Sequence, residues 1–285
     1  NSIDTFGNIR GSLNDYEVNL SGDYLNYQSL KRILKEKFSD SKINFLLDIE
    51  KLELTEKYFL KKSSGKVILN SGLSGILKGS LNGLEDVTIK FEKLKNTQAK
   101  FTAKSKNAGN IFRALKAYQN GYGGDFHFEG VLKENGGVVG KLKTSDLQVR
   151  NAPILAQLVS LASLNGMIDL LAGKGIVFEN VEGEVDTDGA RTIVKNGFAE
   201  GQSIGITLDG VFTKTNQTQS QIKMNASGVL SPFFNINSAV SKLPLFGSIF
   251  GTKSGEGAIG FSFKIQGTKN KPSVLINPFS ILAPG

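Results

Sequence analysis

The sequence predicts a mainly β protein with a few short α-helices, arranged as a curved antiparallel meander. Apolar residues alternate with polar ones in many short segments, which is the period of a strand with one apolar face. Convincing helical patterns are few. The 285 residues include 33 Gly and only 6 Pro, a composition typical of short strands joined by glycine-rich turns.

A glycine-containing pattern recurs five times. Two apolar residues at alternate positions are followed, in the same register, by a glycine that therefore lies on the apolar face. There it removes bulk, so that the sheet can bend or another group can approach. A turn that keeps this parity by chance is the alternative for any single copy. The five copies are Val18-x-Leu20-x-Gly22, Phe126-x-Phe128-x-Gly130, Ile206-x-Leu208-x-Gly210, Met224-x-Ala226-x-Gly228 and Phe263-x-Ile265-x-Gly267.

Further strands are predicted along the chain. Residues 43–49 alternate with one parity, and Leu52 and Leu54 continue with the other, which indicates a bulge near Glu50-Lys51. Residues 87–91 and 259–265 alternate as well. About a dozen strands joined mostly by short turns favour an antiparallel meander over βαβ units.

Helical patterns occupy four places. The segments 27–38 and 110–118 each place their apolar residues on one side. The segment 153–172 predicts two short helices, each about half as long as a bilayer span requires, so we expect them to be buried on most sides. A last apolar cluster, 231–251, is interrupted by Pro244.

The net charge of +8 is uneven. Residues 1–150 carry 24 basic and 17 acidic residues, whereas residues 151–285 carry 10 and 9. A solvated lysine-rich surface explains this excess, and attraction to anionic lipid headgroups is the functional alternative. Nucleic acid is disfavoured, because no basic stripe is interleaved with aromatic residues.

No enzyme signature is found. His127 is the single histidine and is expected on the solvent face, because Phe126 and Phe128 occupy the apolar one. The absence of cysteine excludes thiolate chemistry and disulfides. The acidic run 179–188 lacks the spacing of a Ca²⁺ loop, and "GGVVGK" at 136–141 lacks the Walker spacing. We predict no catalytic residue, metal or cofactor.

An apolar face on so many strands must be buried. Closure into a barrel, a second sheet, helices or a ligand are the possible covers. The few short helices are too small to cover such a face. A self-filled sandwich or barrel remains open at this point, since the 19 Phe supply bulk.

Several long segments resemble the AsmA-like C-terminal region, a family of Gram-negative envelope proteins that includes the TamB and YhdP relatives. They are "NAGNIFRALKAYQNGYGGDFHFEGVL" (107–132), "NAPILAQLVSLASLNGMIDLLAGKGIVFENVEGEV" (151–185), "SKLPLFGSIFG" (241–251) and "GEGAIGFSFKIQGTKNKPSVLINPFSILAPG" (255–285). The resemblance covers residues 101–285 and only the general style of residues 1–100. It implies a single elongated region, 1–285, with upstream gutter strands before residue 101. The sequence is then a fragment of a longer protein anchored in the inner membrane.

The resemblance also implies a function. The family is similar to bridge-like lipid-transfer proteins, in which a long sheet forms an open gutter with an apolar inside (a β-taco), here with helices covering one end. The expected function is non-enzymatic phospholipid transport through the periplasm between the two membranes. An assembly factor that helps to insert outer-membrane proteins through a free sheet edge is the alternative, and an enzyme acting on envelope lipids is weaker still. Expected partners are phospholipids or other acyl lipids, bacterial membranes and inner- or outer-membrane proteins.

The resemblance gives the apolar segments 153–172 and 232–250 a role: they cap or plug the end of the gutter, or dock at the membrane, with plain helix-on-sheet core packing as the alternative. The candidate contacts are Leu155, Leu158, Leu161, Met167, Leu171, Phe233, Phe234, Leu245, Phe246 and Phe250. The five in-register glycines, Gly22, Gly130, Gly210, Gly228 and Gly267, are expected to curve and widen the groove.

Overall fold

The computed structural model describes residues 9–14, 17–27, 43–55, 57–69, 72–94, 99–133, 137–162, 164, 168, 171–202, 204–215, 222–232, 260–268 and 270–277. The chain divides into two compact units, Asn1–Gly140 and Lys141–Gly285. The division lies within strand β10, Val138–Val149, and not at the change in sequence character near residue 100.

The first unit holds an open sheet with strands paired in the order β1-β2-β3-β4-β5-β6-β7-β9. The pairs are antiparallel except for β2 with β3, which is parallel. A parallel pair requires a long crossover, and residues 27–42 connect these two strands. The strands are β1 (Ile9–Asn14), β2 (Glu17–Asn26), β3 (Ile43–Thr55), β4 (Tyr58–Leu69), β5 (Leu73–Leu81), β6 (Glu85–Lys93), β7 (Ala99–Ser105), β8 (Gly121–Tyr122) and β9 (Asp125–Leu132).

The second unit holds an antiparallel meander in which each strand pairs with the next. The prediction of a mainly β chain with few helices and open, curved antiparallel sheet is confirmed, and the sixteen described strands exceed the dozen expected. The strands after β10 are β11 (Ile176–Thr187), β12 (Arg191–Gly201), β13 (Ile204–Lys214), β14 (Ile222–Pro232), β15 (Phe261–Thr268) and β16 (Lys271–Asn277).

The predicted change of parity in β3 occurs, but the bulge lies on the neighbouring strand. Ile49 and Leu52 are both buried, and the β3–β4 register is the same before and after this point. The register shift lies between β4 and β5, at Lys61–Ser64, where Lys62 has φ of +50°. The change in which residues of β3 face the apolar side therefore coincides with a bulge on the neighbouring strand β4.

Two helices lie within the described residues. Helix α1, Ala108–Ala114, confirms the helix expected at 110–118 and ends earlier, because Lys116 adopts φ of +56°. Helix α2, Pro153–Leu161, confirms the first of the two helices expected at 153–172. The second of those helices is described only at a few residues, and the segments 28–38 and 233–251 lie outside the described part of the chain.

Asn82 joins the β5–β6 turn to α1 and β4. Its side chain accepts a hydrogen bond from Phe59 N and donates one to Ala114 O, both at 2.9 Å, while its own φ is +50°. We expect Asn82→Ala to lower the free energy of unfolding by about 3 kcal/mol, because two hydrogen bonds are lost and alanine is strained at positive φ. Asn82→Gly loses only the hydrogen bonds and should cost about 2 kcal/mol. Equal stability of Asn82→Ala and wild type in urea unfolding would contradict this role.

Candidate functional site

One face of the first unit's sheet is lined by unbroken apolar rows. Directly opposed residues in paired strands lie on the same face, so the register shows which side chains form each row. Every member of the two central rows is apolar or glycine. They are Leu20–Leu47–Gly65–Leu77–Ile89–Ala103–Phe128 and Phe45–Val67–Gly75–Phe91–Phe101–Gly130.

Aromatic rings occupy one position of these rows on each of β6, β7 and β9. The Phe101 ring lies 6.5 Å from that of Phe91 and is stacked on that of Phe128 at 5.5 Å. Phe45 and Leu77 at the centre of the sheet are 4% exposed, whereas Ile89 and the three Phe rings are only half-buried. Part of this apolar face is therefore accessible.

The second unit repeats this arrangement. Its rows again contain only apolar residues and glycine, and they lie on the same face because the β13–β14 register is constant between them. Leu230 is fully buried, whereas Val194, Ile206 and Phe261 are half-buried. The rows are Val185–Val194–Gly210–Ala226–Ile265–Val274 and Val181–Ala199–Ile206–Leu230–Phe261.

The five in-register glycines all face apolar partners. A methyl group at Gly130 would lie 2.6 Å from the Phe128 ring, and one at Gly228 would lie 2.8 Å from the Phe263 ring and 1.9 Å from Thr207 O. Gly130 and Gly228 thus let phenyl rings lie close to the strand backbone, in addition to any bending that they permit. The opposed pairs are Gly22–Ile49, Gly130–Phe101, Gly210–Ala226, Gly228–Phe263 and Gly267–Met224.

Helix α2 lies beside the last strand of the second unit's sheet. The helix follows β10 in the chain, yet it contacts β16. Its nine residues are about 14 Å long.

The plug candidates are divided by the structure. Leu155, Leu158 and Leu171 are 8%, 3% and 2% exposed, together with Val159 at 0%. Leu161 is 53% exposed, so it does not belong to this buried cluster. Helix α2 therefore has one exposed side, whereas burial on most sides was expected. Met167, Phe233, Phe234, Leu245, Phe246 and Phe250 lie outside the described residues.

Helix α1 lies at the strand ends of the first unit, on the apolar side. The Phe112 ring packs edge-on against that of Phe126 at 6.0 Å, and Ile111 is 1% exposed. Glu85 accepts hydrogen bonds from Ser105 Oγ at 3.0 Å and Asn110 Nδ2 at 2.9 Å. These contacts fix the helix along one rim of the apolar face.

The titratable groups do not converge on this face. His127 lies opposite Lys104, on the other face of the sheet, as expected. Burial raises the pKa of Tyr118 to about 12, with a smaller contribution from Tyr122. Burial raises the pKa of the Glu200 carboxyl, and the negative charge of Glu179 raises it further. Among the described residues no group of three or more His, Cys, Asp or Glu is placed to hold a metal ion.

Sequence reasoning did not single out the half-buried Val67, Ile89, Phe91 and Phe101 as lining residues. The alternation in 87–91 and 99–103 was the available signal for the last three. Only the pairing of the strands brings Val67, Phe91 and Phe101 into one row, with Ile89 in the row beside it.

No described helix is long and apolar enough to cross a membrane. The chain matches no protein-family model, no curated protein and no solved structure.

Proposed function

We propose that the chain binds phospholipids on its apolar sheet faces and conducts them, without enzymatic chemistry, between the two membranes of a Gram-negative envelope. The observation that carries the proposal is the pair of purely apolar rows in each unit, whose half-buried members remain accessible. The resemblance of residues 101–285 to AsmA-like proteins supports the periplasmic site and an inner-membrane anchor elsewhere in the parent protein.

The dimensions of the rows suit acyl chains. The row from Leu20 to Phe128 crosses six strand spacings, about 29 Å. One acyl chain extends over about half of a 30 Å bilayer core, so it is shorter than the row, whose half-buried members are Gly65, Ile89 and Phe128. Each buried CH₂ group contributes about 0.8 kcal/mol to the binding free energy. Because the row is apolar throughout, no position along it should bind the acyl chain much more tightly than the others.

The alternative proposal is an assembly factor that pairs with client strands. Its supporting observation is β16, which pairs only with β15 among the described residues and carries Leu275 at 59% exposure. An extended segment of an unfolded outer-membrane protein is the kind of ligand that adds to such an edge. Cross-linking of client protein, and not lipid, would favour this alternative.

Site-specific photocross-linking tests the main proposal. A benzoylphenylalanine replaces Phe101 on the apolar face or, as the control, the half-buried Val131 on the other face. The full chain is loaded from phospholipid vesicles, freed of them by gel filtration and irradiated. We expect a phospholipid adduct from position 101 and none from position 131, because only the first faces the rows. Equal labelling of both positions, or of neither, would contradict the proposal.

A further inference from the structure

The face of the first unit opposite the apolar rows carries a cluster of lysines around an exposed isoleucine. Ile76 is 44% exposed and lies directly between Lys66 on β4 and Lys90 on β6. Lys78 follows two residues after Ile76 on the same face of β5, opposite Thr88 on β6. Lys104 on β7 lies on the other side of Thr88. We call Lys66, Ile76, Lys78, Lys90 and Lys104 the basic patch.

The basic patch is compact. Neighbouring strands are about 4.8 Å apart, and alternate residues about 6.6 Å, so the four lysine Cα atoms fall within about 16 Å of one another. All four side chains are exposed. Their charges act together, because their separations are comparable with the Debye length of about 8–10 Å in physiological salt.

Three of the four lysines make no direct ion pair. Lys90 pairs with Glu92 at 2.6 Å, whereas Lys66, Lys78 and Lys104 form no salt bridge with a described residue. The nearest other carboxylates on this face lie at diagonal positions: Asp48 beside Lys66, Asp86 beside Lys78 and Lys104, and Asp125 and Glu129 beside Lys104. Asp125 and Glu129 are themselves paired with Lys106 and Lys100. Like charges that lie close together on a sheet cost stability, so an external anion would stabilise this cluster.

Other lysines of the chain are paired across strands. Lys100 pairs with Glu129, Lys143 with Glu182 at 3.0 Å and Lys141 with Glu184 at 3.6 Å. In these pairs each ammonium group is balanced by an exposed carboxylate. Lys66, Lys78 and Lys104 differ from them, because they lie together without such a direct pair among the described residues.

We infer that the basic patch docks the first unit onto the surface of an anionic lipid bilayer. An exposed sheet face with four ammonium groups suits a surface of lipid phosphates, and the central Ile76 reaches the interfacial region. Nucleic acid fits less well, because the patch contains no arginine and no aromatic ring on which bases stack. The patch faces away from the apolar rows, so the inference does not depend on what those rows bind.

Vesicle co-sedimentation of the full chain tests this inference. Vesicles of phosphatidylcholine alone are compared with vesicles that also contain phosphatidylglycerol. Each basic residue near an anionic surface strengthens binding roughly fivefold, so we expect Lys66→Gln/Lys78→Gln/Lys104→Gln to weaken binding to the anionic vesicles roughly 100-fold. High salt should weaken the wild-type protein similarly.

The matched control is Lys195→Gln/Lys223→Gln/Lys264→Gln, which removes three exposed lysines from the outer face of the second unit. We expect it to change binding no more than about threefold, and both variants to keep the wild-type melting temperature because surface substitutions cost little. Equal weakening by the two triple variants would overturn the inference, and so would absence of wild-type binding to anionic vesicles. Tighter binding to single-stranded DNA than to anionic vesicles would overturn it as well.

Discussion

We expect Ile206→Glu to purify as a folded protein that has lost its bound phospholipid. Ile206 is half-buried in an apolar row between Ala199 and Leu230, so a carboxylate there lies where acyl chains are proposed to bind. Desolvating that charge against hydrocarbon costs about 3 kcal/mol on the scale of protein mutations, which corresponds to roughly a 100-fold loss of lipid affinity.

Ile193→Glu is the matched control for this variant. Ile193 is also half-buried and lies in the same unit, but its partners Asp186 and Val211 place it on the opposite face. Both variants lose similar apolar contact, so their stabilities in urea should be similar. Bound lipid is quantified after extraction by mass spectrometry. Equal lipid content in the two variants would show that the apolar rows are not the binding site.

The second large effect is expected on stability, from Gly228→Ala. The new methyl group would lie 1.9 Å from the carbonyl oxygen of Thr207, and backbone atoms cannot move aside by a change of rotamer. Thr207 is already held by its hydroxyl, which accepts a hydrogen bond from Val229 N at 2.8 Å. We expect the free energy of unfolding to fall by about 3 kcal/mol, at the upper end for an overpacked site.

Gly183→Ala controls for the general effect of replacing glycine in a strand. A methyl group there would meet its nearest neighbour, Gly197 Cα, at 3.4 Å, an ordinary contact. We expect this variant to unfold within about 1 kcal/mol of the wild-type protein, since alanine lowers the entropy of the unfolded chain. Similar destabilisation by both substitutions, measured in urea, would contradict a specific close approach at Gly228.

The alternation of apolar residues was sufficient to predict strand faces, but not strand partners. Phe126, Phe128 and Gly130 were correctly placed on one face, because the period of two depends on the local backbone alone. That Phe128 meets Phe101, 27 positions earlier, depends on pairing between distant segments. The parallel β2–β3 pair was missed for the same reason, since no local pattern specifies a partner.

The buried face of helix α2 could be predicted from the helical spacing of its apolar residues. Leu155, Leu158, Val159 and Ala162 follow the i, i+3, i+4, i+7 spacing of one helix face, and all are buried. Leu161 lies off that stripe, so the same rule would have excluded it from the plug candidates. The early end of α1 was not predictable, because Lys116 adopts a conformation for which the usual glycine signal is absent.

The most direct test of the central claim is native mass spectrometry of the purified chain, followed by extraction and identification of any lipid. We predict phospholipid in near-stoichiometric amounts, retained by Ile193→Glu and lost by Ile206→Glu. A folded, lipid-free protein that stays empty when phospholipid is offered would contradict the claim, and would leave the apolar rows as the self-filled core of a β protein.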